Sequence, residues 1–507
     1  MSQNIQSLLQ VIPKDTFYNS KKDVISSSEQ MHTEIFKRDR ELYTYLLYFN
    51  NSTYYSKSKI ITTLLGNSLY SENESTKNKL LAYEDALIHY ALFNESITHA
   101  IKMLLELKEK RINNSRTTNV ILDFIFNRGN ADFIAIKYRN KLKDLLIHAL
   151  GLNTINKILS NTANGKKLFK KHIDKYNNPY AKEIFVFICG KTSNIDFECK
   201  SEYISEYIRV SKEFSSENLS IKNIKDTKLP IEVLIGFNNF YKKNLNLAAI
   251  MTLGNSSSKQ KIQMQNAVKK ATNNTVELKI DFEKYSIIEL YKYLYNKVDI
   301  TNEELEEIWF NIENKSMELA MNNKDIDLGK IAILLDLSES SSGSIENPNA
   351  PLFRELLIEK VYSQFNAVSK TYTIGGKYDE IRKIYTPNSD TNFNETLVKI
   401  AEDGYEKVLI LSDGFENSGC FEMVYEKIKE FIPNFNIIHY NPVFSPKDLS
   451  CKKLSDSITT IPFRDIEDIK NARLFVLLDT DENAFKVAIK NIIDKTILLK
   501  INNNHTN

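Results

Sequence analysis

At 507 residues the chain is too long for one ordinary core, and two or three domains are expected. With 42% hydrophobic and 26% charged residues but only 14 Gly and 10 Pro, it is a helix-rich globular sequence, and no run reaches the ~18–20 apolar residues that a membrane span needs. The net charge of +2 is unevenly spread: residues 326–507 carry about −6 and residues 1–325 about +8, and residues 101–180 alone hold 16 Lys/Arg against 6 Asp/Glu.

The opening segment, MSQNIQSLLQVIPKD, lacks a basic start and a cleavable apolar core, so a cytoplasmic protein without membrane attachment is expected, with residues 1–29 as a flexible N-terminus. Residues 30–325 read as an α-helical repeat region, with a possible break into two subdomains near residue 180. Ile97, Ala100, Ile101, Leu104 and Leu105 recur at helical spacing and form one stripe. Similar stripes run through 34–49, 77–93, 117–126 and 137–150, separated by short polar breaks at 113–117 and 127–132. A second helical block includes 201–214, 230–243, 286–298 and 302–321, and Thr301 with Glu304 forms a capping-box pattern at the start of the last.

The period changes after residue 325. IAILLDLS (331–338) is a continuous apolar run of the kind a buried parallel strand presents. A helix (352–365), a strand (370–374), a strand or extended turn (381–386), a helix from about Asn394, a strand (407–412), a helix (420–432) and a strand (435–440) follow. This alternation predicts a doubly wound α/β domain over 326–507, with ligands at the carboxyl ends of its strands. ARLFVLL near residue 475 is a further candidate strand, and FKVAIKNIIDKTILL a helix.

Three loops at those carboxyl ends carry oxygen donors: Asp336-Leu337-Ser338-Glu339-Ser340, Asp390-Thr391-Asn392 and Ser412-Asp413-Gly414. Hard divalent cations prefer such donors, and a few carboxylates with several hydroxyls suffice because Mg²⁺ keeps part of its water. Alternation in Asp-x-Ser-x-Ser sends three donors toward one point, and Gly414 permits a sharp turn at Asp413. Ordinary helix caps and turns account for each loop singly but poorly for the three together.

LLDLSES, DTN and LSDG, in this order and about 50 and 20 residues apart, resemble the metal-ion-dependent adhesion site of von Willebrand factor A domains. The resemblance implies one divalent ion, Mg²⁺ or alternatively Mn²⁺ or Ca²⁺. Ser338, Ser340 and Thr391 would bind it through hydroxyls, and Asp336 and Asp413 directly or through water, leaving a position for the acidic side chain of a protein partner. Glu339 stands where a small residue is common, and Asp390 where a glycine is often found; Asp390 either adds charge near the ion or caps the next helix.

The basic stretch comprises Lys108, Lys110, Arg111 and Arg116, then Lys137, Arg139, Lys141 and Lys143, then Lys166, Lys167, Lys170 and Lys171. Clusters of this kind track RNA phosphates or simply form the solvated face of a helix. A helical region followed by one C-terminal A domain resembles the Ro/TROVE ribonucleoproteins, which implies RNA as a partner. The fold expected is therefore α + α/β: an N-terminal all-α helical-repeat region and a C-terminal doubly wound α/β domain of von Willebrand A type.

The seven histidines form no HExxH or HxH, and GxGxxG, Walker-type and GxSxG motifs are missing. The four cysteines are scattered, without the spacing of a zinc site or disulfide framework. A non-enzymatic, metal-dependent binding protein is thus the leading expectation. The alternatives are a protein-only scaffold working with a MoxR-type AAA+ ATPase, and a metal-dependent hydrolase, for which Asp336 is the only plausible base.

Overall fold

The computed structural model describes residues 8, 21–49, 53–69, 73–160, 162–176, 178–190, 199–219, 221–224, 227–246, 249–250, 281–297, 300–343, 348–365, 369–443, 452–471 and 481–504. The chain forms two compact units, one made of residues 1–56 with 281–507 and the other of residues 57–280. The expected boundaries differ from these. Residue 30 falls inside helix α1 (Lys21–Arg38), which is followed by α2 (Arg40–Tyr45). Residues 281–325 belong to the sheet-bearing unit, and both sides of residue 180 lie in the helical unit.

The helical unit contains α3 (Tyr54–Gly66), α4 (Glu74–Asn94), α5 (Ile97–Glu109), α6 (Ser115–Phe126), α7 (Ala131–Leu150), α8 (Leu152–Leu159), α9 (Ala163–His172), α10 (Ala181–Cys189), α11 (Glu202–Ser215), α12 (Ile221–Ile224) and α13 (Ile231–Phe240). Of the two polar breaks read in the sequence, 113–117 supplies a cap, Asn114, whereas Asn130 in 127–132 precedes its helix without a side-chain cap bond; Ser96, Thr162 and Ser201 also accept a hydrogen bond from a first-turn amide. On α5, Ala100, Ile101 and Leu104 are fully buried, while Ile97 and Leu105 lie half-buried at the stripe's edges. Helix α7 is the hub. It packs against α5, α6, α8, α10, α11 and α13, and accordingly buries Ile134, Ala135, Ile136, Leu142, Leu145 and Leu146.

The other unit continues with α14 (Ile287–Asn296) and α15 (Asn302–Asn322), each opened by a complete capping box, Ser286 with Glu289 and Thr301 with Glu304. The α/β part follows: β1 (Ala332–Leu337), α16 (Ala350–Phe365), β2 (Lys370–Gly375), β3 (Lys377–Asp379), β4 (Ile384–Thr386), α17 (Asn394–Glu402), β5 (Lys407–Leu411), α18 (Phe421–Phe431), β6 (Asn436–Asn441), β7 (Thr459–Pro462) and α19 (Glu482–Asn504).

Five strands make a parallel sheet in the order β2-β1-β5-β6-β7, and β3 pairs with β4 in a separate antiparallel hairpin. Thus 381–386 supplies a hairpin strand outside the main sheet. The short strand β7 has no counterpart in the sequence reading; its Pro462 is tolerated at the end of an edge strand. The candidate strand ARLFVLL lies outside the described residues.

The strand order reverses between β1 and β5, which is the topological switch point of a doubly wound sheet. All six residues of β1 are buried, as a central parallel strand requires. One sheet face buries Leu334, Val408, Ile410 and Ile437 against Phe393, Leu397, Phe421 and Tyr425. Burying an aliphatic side chain of this size contributes roughly 1.5–3 kcal/mol.

Candidate metal centre

Register places the site. Leu335 pairs with Leu411 across β1 and β5, so the next residues, Asp336 and Ser412, lie side by side beyond the last apolar pair. The three oxygen-rich loops are then tied together by backbone hydrogen bonds. Asn388 N–H donates to Leu337 O (2.9 Å) and Glu339 N–H to Ser389 O (3.1 Å), joining the second loop to the first. Asn417 and Ser418 N–H both donate to Thr391 O (3.2 and 3.3 Å), joining the third loop to the second. Gly414 adopts φ +80°, and a Cβ there would stand 2.6 Å from Lys452 O, so the turn after Asp413 requires glycine.

Asp336 is the centre of the side-chain network and is fully buried. Its carboxylate accepts from Ser412 Oγ (2.7 Å), Ser338 N–H (3.2 Å) and Thr391 Oγ1 (3.3 and 3.4 Å to the two oxygens). Ser338 and Ser340 bring their hydroxyls to 2.9 Å from each other. Ser338, Thr391 and Asp413 are buried, whereas Ser340 is exposed at the mouth. Asp413 accepts from Phe415 N–H (3.0 Å). Burial pushes the Asp336 carboxyl above its ordinary range; hydrogen bonds from Ser412 and Ser338 pull it down, and the Asp413 charge adds to the rise.

Side-chain bonds thus join Asp336 to Thr391 and Ser338 to Ser340, and Asp413 stands on the third loop at the same end of the sheet, its carboxylate accepting from Phe415 N–H. Two carboxylates and three hydroxyls suit a hard cation that retains water. Among the described residues no three Asp, Glu, His or Cys side chains converge closely enough to hold an ion alone, so an ion here depends on the hydroxyls. Asp390 is exposed, accepts from Asn417 Nδ2 (3.4 Å), and does not cap α17, whose N-terminus has no side-chain cap bond. Glu339 is exposed as well.

Two further residues belong to this neighbourhood. Ser412, beyond the five residues the sequence motif marks, takes part through its hydroxyl, which donates to Asp336 and accepts from Gly414 N–H (3.1 Å). Glu355, on α16, is fully buried, and neither of its carboxyl oxygens has a hydrogen-bond partner among the described residues. Burial first, then the charges of Asp336 and Asp413, drive its carboxyl well above the usual range, and Arg354 opposes them.

No protein-family model matches the chain, and no curated protein matches it in sequence.

The basic residues of the helical unit fall into two groups. Arg116 grips Glu84 (3.0 Å) and Asp85 (2.6 Å); Arg139 donates to the carbonyls of Phe187 (2.8 Å) and Gly190 (3.0 Å). Lys108 pairs with Asp144, Lys110 with Glu106 and Lys137 with Glu232. Arg111, Lys141, Lys143, Lys166, Lys167, Lys170 and Lys171 are exposed. Cys189, Cys199 and Cys420 are free thiols, and Cys451 lies outside the described residues. No helix among the described residues is long and apolar enough to cross a membrane.

Proposed function

We propose that residues 326–507 act as a von Willebrand A-type domain holding one divalent cation, and that the chain is a non-enzymatic binding protein of the Ro/TROVE kind. One observation supports this reading: at the switch point of a parallel sheet, side-chain bonds join Asp336 to Thr391 and Ser338 to Ser340, and the loop that carries Asp413 is tied by backbone bonds to Thr391. Ser338, Ser340 and Thr391 would offer hydroxyl oxygens to Mg²⁺, Mn²⁺ or Ca²⁺, and Asp336 and Asp413 carboxylate oxygens. The ion would supply positive charge at an acidic mouth, which lets a partner's carboxylate dock there.

Calorimetric titration with Mn²⁺ tests the metal site. Asp413→Ala and Ser338→Ala are each expected to abolish the binding heat while the circular dichroism spectrum stays unchanged, since both donors lie beyond the strands. Undiminished heat in both variants would sink the assignment.

The RNA part of the reading is supported by the exposed lysines of α7 and α9, namely Lys141, Lys143, Lys166, Lys167, Lys170 and Lys171. A second reading, a protein-only scaffold served by a MoxR-type AAA+ ATPase, is favoured by the internal engagement of Arg116, Lys137 and Arg139. Nuclease-free purification separates the two. Co-purifying material absorbing at 260 nm and released steeply by salt supports RNA; a nucleic-acid-free preparation without RNA affinity at low salt leaves only the protein partner.

A further inference from the structure

Helix α16 starts where the first donor loop ends. Asn349 N–H donates to Ser342 O (2.6 Å) and Phe353 N–H to Asn349 O (3.0 Å), so the helix is anchored to the turn that follows Ser338 and Ser340. Its first turns pack against β1 and against that turn. Arg354 donates to Pro442 O (2.7 Å), just past the end of β6, and fixes the helix over the carboxyl end of the sheet. The next residue, Glu355, points inward and has no exposed surface.

A fully buried carboxyl with neither oxygen hydrogen-bonded is costly, and native proteins rarely keep one without water or an ion nearby. Its helix packs on β1 and on the turn of the first donor loop, and the charges of Asp336 and Asp413 act on its carboxyl. An apolar residue of similar size would fill this position at lower cost if only packing were required. Glu355 does not converge with Asp336 and Asp413 into a three-carboxylate cluster, so direct ligation of one ion by all three is excluded among the described residues. A divalent ion of the hard class keeps several waters, and these need acceptors on the protein side.

We infer that Glu355 is an outer carboxylate of the cation site, accepting hydrogen bonds from water bound to the ion and thereby positioning it behind Asp336 and Asp413. This rests on the metal-binding reading above. It makes the site selective for strongly hydrated divalent cations, because a third anionic group backs the ion without occupying its coordination sphere.

The test uses the full chain, Mn²⁺ as the only ligand, and two variants, Glu355→Gln and Glu355→Met. Binding is read by calorimetry, and thermal unfolding is followed with and without Mn²⁺. Loss of an outer carboxylate lowers affinity roughly 10–100-fold, and Met is expected to lose more than Gln, which keeps an acceptor oxygen. Without metal, Glu355→Met is expected to melt at or above the wild-type temperature, since it removes an uncompensated buried carboxyl, while its Mn²⁺-induced rise shrinks. A purely structural Glu355 gives the reverse: a lower metal-free melting temperature with unchanged Mn²⁺ affinity. Wild-type binding with both variants unaffected overturns this inference alone. A wild-type protein that ignores Mn²⁺ overturns the cation site and this inference with it.

Discussion

His439 lies on β6 directly beside the third donor loop, and its environment fixes its chemistry. Nε2 is 3.0 Å from Ser412 O, an atom that can only accept, so Nε2 carries the hydrogen; Nδ1 then accepts from Thr460 Oγ1 at 3.0 Å. Burial lowers its pKa to about 4, with the Ser412 carbonyl acting in the opposite direction. The unfolded chain binds this proton more readily between pH 6.5 and 4, so the stabilisation is complete above pH 6.5 and is lost as pH falls toward 4. The full effect is about 3 kcal/mol at ~1.4 kcal/mol per pH unit. Urea unfolding at pH 7 and pH 4.5 is expected to show a smaller pH-dependent loss for His439→Gln than for wild type; equal losses would refute the neutral, buried ring. Ser412 invites a second substitution. Ser412→Ala strips a donor from buried Asp336 and an acceptor from Gly414 N–H, and should cost about 1–3 kcal/mol in metal-free urea unfolding. A cost below ~0.5 kcal/mol would mean that these bonds contribute nothing. The five proposed ligands were legible because Asp, Ser and Thr after apolar strands are conspicuous. Ser412 was not singled out because its role depends on the β1–β5 register, which a linear sequence does not display.

At the scale of elements, α16 explains why Glu355 was overlooked. An isolated amphipathic helix has a solvated face, and a glutamate in LFRELLIEKVYSQF reads as belonging to it. Here α14, α15 and β1 all pack on α16, so the helix buries Leu352, Phe353, Glu355, Leu356, Leu357, Ile358, Val361 and Tyr362 and has almost no wet face. The basic stretch has the converse lesson. Arg139 sits in the same helical run as Lys141 and Lys143, yet it caps the end of α10 through two carbonyls and lies over the Phe187 ring at 4.8 Å. Arg139→Ala is expected to destabilise the helical unit by about 1.5–3 kcal/mol, the range for hydrogen bonds to a charged group. Lys141→Glu with Lys143→Glu should change stability by less than ~0.5 kcal/mol per site while weakening any RNA binding for all sequences alike. Denaturation and filter-binding measurements on both variants separate the two roles; an RNA affinity untouched by the lysine reversals leaves them as a solvated face only.

For the whole molecule, the change of period near residue 325 marks the start of the sheet and not the edge of a unit. Helix α15 remains attached to the sheet-bearing part: Glu313 accepts from Lys360 (2.6 Å) and Gln364 (2.9 Å), and Trp309 Nε1 donates to Arg382 O (3.1 Å). A fragment beginning at residue 326 would expose the face of α16 that α14 and α15 cover. A 281–507 fragment is therefore expected to melt higher and bind less of a hydrophobic dye than a 326–507 fragment; equal melting and equal dye binding would restore a boundary near 326. Sequence period detects where strands replace helices, but it does not report which helix covers which sheet face, and the unit boundary is decided by that cover.

The sheet-bearing unit is also discontinuous along the chain, since residues 1–56 and 281–507 share it while 57–280, intervening in sequence, form the other unit. At its far ends Arg38 meets Glu482 at 3.3 Å, and Asp39 meets Lys486. Synthesis on the ribosome proceeds from the N-terminus, so the first helices emerge long before the C-terminal helix that they meet. The intervening helical unit can be complete by then, and it turns a long floppy tether into a compact spacer. Loop closure costs only about 0.6 kcal/mol more for each doubling of length, so delay, more than entropy, is the hazard for α1 and α2. During that interval Leu42, Tyr43, Leu46 and Leu47, all fully buried in the finished protein, stand without their final cover. Nascent chains stalled between residues 60 and 280 are the ones in which chaperone capture through this N-terminal segment should be strongest.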